Sequence, residues 1–245
     1  RRRIIPLAMR AAMASVAMAS GLLILKGFGA WHTGSVAMLG SLADTALDLL
    51  ASLVTLYGVK LAAEPADHDH RFGHGKAEAL AALFQVALIT ASAAAIAWRA
   101  VVALSDPQPT HDAGTGIAVS VAAIAATLLL LWYQRTIIRR TGSVAIMADN
   151  LHYQSDALLN GSVIVALVLD QFIGWSWADP VFGIVIAMWL AYGAFQASSQ
   201  AIDQLMDKEW SEDQRRAYIE VAARQPGVRG IHDFRTRRSG SHDFA

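Results

Sequence analysis

Thr33-Gly34-Ser35-Val36-Ala37 recurs as Thr141-Gly142-Ser143-Val144-Ala145, at an offset of 108 residues in a chain of 245. At that same offset Asp44 falls on His152 and Asp48 falls on Asp156. Each pair is spaced i, i+4, which sets two polar side chains one turn apart on one face of a helix. Both pairs lie inside long apolar segments, where ionisable groups are costly and tend to mark an ion path. Matching polar motifs in the two halves of a chain imply a duplication built around one ion site. Few folds satisfy that.

The apolar segments supply the frame. Apolar residues make up 55% of the chain and charged residues 16%, a membrane composition. Six segments stand out, at roughly 4–30, 33–62, 77–104, 114–138, 142–169 and 178–200, each longer than the about 20 helical residues that cross a hydrocarbon core. Lys and Arg set the orientation. Arg1, Arg2, Arg3 and Arg10 lie at the amino end, Arg71 and Lys76 between segments two and three, and Arg135, Arg139 and Arg140 between four and five. The other three connections, near Trp31-His32-Thr33, Ser105 to Ala113 and Asp170 to Trp177, hold no Lys or Arg. Both ends are therefore expected on the cytoplasmic side.

Asp106-Pro107-Gln108-Pro109 separates the first three segments from the last three. With an odd number of spans in each half, the halves run in opposite directions and form an inverted repeat. Asp44 and Asp48 then lie roughly 16 and 22 Å from the outer end of segment two at 1.5 Å per residue. His152 and Asp156 lie similarly deep from the inner end of segment five, so the pairs should meet near the midplane. The expected fold class is an all-α membrane protein with six transmembrane helices in inverted three-helix repeats, over residues 1–206. Residues 207–245 read as the start of a cytoplasmic α/β domain. Ser211-Glu212-Asp213 opens a helix to Gln225, Pro226-Gly227 ends it, and Val228 to Thr236 reads as a strand. About 40 residues rarely bury a core of their own, so this domain is expected to be truncated at Ala245.

Asp44, Asp48, His152 and Asp156 make four oxygen and nitrogen ligands, the number a tetrahedral Zn²⁺ site takes. Fe²⁺, Co²⁺, Cd²⁺ or Mn²⁺ use related ligands. Asp149, a turn before His152, is either a partner of these ligands or a polar lining residue. A second cluster, Asp67-His68-Asp69-His70-Arg71-Phe72-Gly73-His74, falls in the cytoplasmic connection after segment two and is a candidate metal site. Cysteine is absent, which excludes disulfides and thiolate sites. There is no His-Glu-x-x-His, no phosphate-binding glycine loop and no Gly-x-Ser-x-Gly, so neither a zincin nor an ATP-driven pump is indicated. An intramembrane zinc hydrolase would need an open coordination position, and four protein ligands leave none spare. A purely structural metal site is the other alternative; only a transporter would move the ion.

These motifs resemble the cation diffusion facilitator family, with the nearest likeness to its bacterial ferrous-iron and zinc proton antiporters. The likeness rests on Gly34-Ser35-Val36-Ala37 leading to Asp44-x-x-x-Asp48, and on Asp67-x-x-His70-x-Phe72-Gly73-His74-Gly75-Lys76-Ala77-Glu78. It continues through Ala148-Asp149-x-x-His152-x-x-Ser155-Asp156, Leu205-Met206-Asp207 and His232-Asp233-Phe234-Arg235-Thr236-Arg237. The resemblance implies an inner-membrane homodimer that exports Zn²⁺ or Fe²⁺, with Cd²⁺ also accepted, in exchange for protons. It implies a secondary transporter, not an enzyme, with no cofactor beyond the transported ion and no nucleic-acid partner. The implied transport site is Asp44, Asp48, His152 and Asp156, and the implied loop site is Asp67, His70 and His74. Lys76 and Asp207 match a charge pair near the cytoplasmic surface. His232 matches one ligand of a binuclear site in the family's metallochaperone-like domain.

Overall fold

The protein, seen in a computed structural model, is described at residues 4–33, 36–105, 116–175, 177–226, 230–240 and 242–245. Six long helices come first: α1 (Ile4–Thr33), α2 (Val36–Ala62), α3 (Ala77–Ser105), α4 (Gly116–Thr141), α5 (Val144–Ile173) and α6 (Ala178–Leu205). Among the described residues, four stretches are long and apolar enough to cross a membrane, at Leu7–Phe28, Leu42–Ala62, Ala77–Leu104 and Ala178–Leu205. Helices α4 and α5 match them in length, with 26 and 30 residues. Both also carry polar side chains: Gln134, Arg135, Arg139 and Arg140 on α4, and Asp149, Asn150, His152, Gln154 and Asp156 on α5. Helix α1 extends through Trp31, His32 and Thr33, which the sequence assigns to a connection. Helix α5 likewise runs on to Ile173 before Gly174 turns the chain at φ 71°. The Asp106–Ala113 connection and His111 lie outside the described residues.

Burial is inverted relative to a water-soluble fold. Large apolar side chains such as Ile24, Trp98, Leu129, Trp132 and Phe195 face outward, while Gln85, Gln134 and Asp149 are fully enclosed. That is the arrangement a lipid solvent rewards, because lipid solvates Leu but not an amide. Helices meet through small residues. Ala8, Ala11 and Ala12 of α1 share a core with Val59, Ala81, Ile137, Ala145 and Ile146. Val86, Ile89 and Ala93 of α3 pack on Ile186, Leu190 and Ala194 of α6. Gly58 of α2 sits so close to α3 that a Cβ there would stand 2.4 Å from the Ala81 Cβ.

Beyond α6, helix α7 (Glu212–Ala223) follows Ser211, which takes the N-cap position without a side-chain cap. Strand β1 (Arg237–Ser239) pairs antiparallel with β2 (His242–Phe244), Arg237 opposite Phe244. The strand expected over 228–236 is therefore displaced. Residues 230–236 are irregular and 227–229 are outside the described residues. Asp233 takes φ 54°, which breaks an extended run. Thr236 and Arg237 are instead tied to Trp210, whose backbone and indole N–H groups donate to Thr236 Oγ1 at 3.0 Å and the Arg237 carbonyl at 3.2 Å. The β1–β2 hairpin lies on the α2–α3 loop: Phe244 meets Phe72 edge-on at 6.2 Å, and the Arg237 guanidinium stands 4.1 Å over the Phe72 ring.

Candidate metal centre

Two i, i+4 patterns on different helices build the centre. Asp48 lies twelve residues into α2, and His152 and Asp156 lie eight and twelve residues into α5. Helix pitch gives each a depth of about 12 to 18 Å. At that depth the two helices touch, and His152 Nε2 stands 2.9 Å from Asp48 Oδ1 and 3.8 Å from Asp156 Oδ2. Asp48, His152 and Asp156 offer ligand atoms all within 4.8 Å of one another. Side-chain exposure rises from 9% at His152 to 23% at Asp48 and 31% at Asp156, so the imidazole is walled in while the carboxylates reach an opening. Asp44 is exposed one turn before Asp48 and stands outside that group of three.

The ring of His152 is backed by Tyr153, edge-on at 5.7 Å, whose hydroxyl shares a 2.9 Å hydrogen bond with Ser52. Behind it lies a polar hub that sequence reading did not reveal. Asp149 is 0% exposed. Its Oδ2 accepts from Ser15 Oγ at 2.6 Å and Gln134 Nε2 at 2.7 Å, and its Oδ1 accepts from Gln85 Nε2 at 3.0 Å. Gln85 also donates to Thr55 at 2.9 Å, and Asn150 donates to Gln134 Oε1 at 2.9 Å. Five helices are thus joined one turn below His152. Ser15, Gln85 and Gln134 each read as one isolated polar residue in an apolar run; an intramembrane amide was the only signal available. Lys26, in Leu22-Leu23-Ile24-Leu25-Lys26, was passed over in the same way.

The loop after α2 forms a second cluster. Asp67, His70 and His74 also offer ligand atoms within 4.8 Å of one another. Asp67 Oδ1 accepts from the backbone N–H of Asp69 at 3.0 Å and of His70 at 2.5 Å, and lies 3.3 Å from His70 Nδ1. Asp67 Oδ2 lies 3.4 Å from His74 Nε2. The two imidazoles lie 4.5 Å apart and tilted by 46°, brought together where Gly73, at φ 80°, folds His74 back towards His70. The His70 backbone N–H holds the Asp67 carboxyl below the usual carboxylate range, with the charges of His70 and His74 adding to it. Just after the loop, Lys76 Nζ meets Asp207 Oδ2 at 3.0 Å and donates to the Leu205 carbonyl at 3.0 Å. Arg237 reaches the same carboxylate at 3.5 Å. Glu78, at the start of α3, accepts from Ser143 at the start of α5. His232 is exposed and, among the described residues, joins neither cluster.

Comparison with known proteins places these features in context. Residues 12–206 match the family described as the cation efflux transmembrane domain. The chain is 44% identical over 235 residues to the cation-efflux pump FieF of Escherichia fergusonii, covering 96% of this chain and 78% of that one. FieF of Cronobacter sakazakii is similar to the same extent, and FieF of Yersinia pestis is 44% identical over 234 residues.

Proposed function

The chain belongs to the cation efflux, or cation diffusion facilitator, family, and on that premise we propose that it exports divalent metal cations from the cytoplasm in exchange for protons. The observation that carries this reading is the convergence of Asp48, His152 and Asp156 deep between α2 and α5. In this reading α4 and α5 cross the membrane with the other four long helices, both ends of the chain face the cytoplasm of a bacterial cell, and two copies pair. Zn²⁺ or Fe²⁺ is the cargo, with Cd²⁺ tolerated by the carboxylate-rich set, and Asp44 closes on the other three ligands when the ion arrives. Ligands hold metal only when deprotonated, so metal and protons exclude one another at one site. His152 is the member whose free imidazole titrates near neutrality. Opening the site alternately to the two faces then couples proton entry to metal exit.

Asp67, His70 and His74 form a loop site that tunes affinity without lying on the path, because they sit on a connection between helices. His232 supplies one ligand of a further site in the cytoplasmic domain. Zinc flux into sealed vesicles, read together with a pH dye, tests the whole reading. An imposed proton gradient should drive metal movement, and Asp48→Ala should abolish it while the protein stays folded. Flux that persists in Asp48→Ala rejects the midplane site, and flux without any proton counter-movement at any pH leaves a uniporter.

A further inference from the structure

Lys26 lies seven residues before the end of α1, in a segment otherwise apolar on both sides. A lysine so placed ordinarily extends its stem outward and puts its ammonium in interfacial water. This one turns inward. Its Nζ donates a 2.7 Å hydrogen bond to Thr45 Oγ1, and Thr45 is 1% exposed. Thr45 follows Asp44 directly and precedes Asp48 by three residues, the spacing that shares a helix face. The ammonium is therefore anchored to the α2 residue that stands between Asp44 and Asp48 in sequence. Lys26 carries no lone pair to offer a metal while charged, so it acts on the cargo through its field alone.

The charges then balance in a definite way. Asp44, Asp48 and Asp156 bring three negative charges when they are deprotonated to hold metal. A divalent ion cancels two of them and Lys26 cancels the third, so ligands, ion and Lys26 sum to zero, with Asp149 held apart by its own three donors. We infer that Lys26 is a specificity-determining residue of the midplane site, whose fixed positive charge matches the site to a doubly charged cargo and keeps that cargo releasable. Without it the three carboxylates would balance a triply charged ion and hold a doubly charged one too tightly to let go. This inference rests on the midplane reading above and deepens it.

Lys26→Gln removes the charge but keeps a donor for Thr45, and Lys26→Met removes both. The protein, reconstituted in vesicles, is assayed for zinc flux with Tb³⁺ as a competing trivalent probe. For Lys26→Gln the zinc concentration at half-maximal rate should fall roughly ten-fold, the scale of one unit charge removed from a site that water largely screens. The maximal rate should fall with it, because release slows. The Tb³⁺ inhibition constant should fall further, roughly thirty-fold, since a triply charged ion feels half as much again of the same potential. Lys26→Met should follow Lys26→Gln, and Lys26→Arg should restore the normal ratio of Zn²⁺ to Tb³⁺ sensitivity. Unchanged zinc and Tb³⁺ constants in Lys26→Gln would overturn the inference and leave a lysine that merely packs. So would an equal loss of rate in Lys26→Gln and Lys26→Arg with no change in that ratio. If Asp48→Ala transports normally, the midplane reading itself fails, whatever Lys26 does.

Discussion

Asp149 shows how much one buried side chain can organise. A carboxylate with no exposed surface would be intolerable in a span if it stood alone, and here Ser15, Gln85 and Gln134 turn three donors towards it from three other helices. The arrangement has a polarity: all the hydrogens belong to the partners. Asp149→Asn keeps the shape but points an N–H₂ group at donors, so at least one buried donor loses its acceptor. The expected cost is about 1–3 kcal/mol, the penalty for an unsatisfied buried polar group. Thermal unfolding in detergent should show it as a lower midpoint, with Asp149→Ala lower still. At the surface, Asp67 makes the opposite case. Its folded carboxyl sits below its ordinary value because the His70 N–H bonds the ionised form. The ordering it gives the loop is therefore complete above the usual carboxylate range and is lost only as pH falls through the lower, folded value. Proteolysis of the loop by an acid-active protease should stay slow at pH about 5 and rise only below the free-aspartate value of about 3.9. Asp67→Asn should be cut readily across that whole range.

At the scale of elements, the α2–α3 loop and the β1–β2 hairpin behave as one unit. Gly75 lies so close to the hairpin that a Cβ there would stand 2.4 Å from the Ser239 carbonyl oxygen, which is backbone and cannot swing away. Gly75→Ala should lift the hairpin off the loop and break the Phe72, Arg237 and Phe244 stack, costing about 1–3 kcal/mol as overpacking does. The check is faster proteolytic cutting after α6 than in the parent protein, with the membrane helices unaffected. None of this docking was legible in the sequence, because the loop and hairpin are separated by more than 150 residues and neither has a periodic pattern. The long helices were legible, since apolar length alone specifies them, and errors arose only at ends such as Trp31–Thr33 and Ile173. The spacing singles out Asp44, Asp48, His152 and Asp156 because the duplication prints the same i, i+4 pattern twice, and the structure brings three of them together. Asp149 stands out by its place one turn before His152, but Lys26 and the donors Ser15, Gln85 and Gln134 do not, because their meaning lies in adjacency across helices. The strand was misplaced because Val228 to Thr236 has the composition of a strand but Asp233 turns the backbone out of it, and the pairing begins only at Arg237.

Across the whole molecule, Asp207 is where three parts are fastened. Lys76 brings the end of the α2–α3 loop, Asp207 itself closes α6, and Arg237 brings the hairpin, at 3.0 and 3.5 Å from one carboxylate oxygen. Lys76 also holds the Leu205 carbonyl, so the last turn of α6 is gripped twice. Side chains in this group are 26–39% exposed, so solvent screening keeps the thermodynamic worth of the pairs small. Its value is geometric: it fixes the carboxyl end of α6, which packs along α3, relative to the hairpin that follows. Asp207→Asn is the informative change, because Asp207 takes φ 55° and asparagine tolerates that backbone as well as aspartate does. It leaves Lys76 and Arg237 facing each other without an anion between them. Zinc affinity at the midplane should stay within about two-fold, since Asp48 lies about 21 Å of helix before the end of α2 that leads into this loop. On the proposed transport reading the rate should fall several-fold, because the last turn of α6 is no longer tied to the α2–α3 loop and the hairpin. Exchanging the charges with Lys76→Asp and Asp207→Lys should recover only part of that rate, since the new lysine would face Arg237 and take a backbone it disfavours. Adding Arg237→Ala should remove the repulsion and raise the rate further. A doubly exchanged protein that already runs at the parent rate would show that Arg237 has no part in the fastening. An Asp207→Asn protein at the parent rate would show that the two halves are coupled elsewhere.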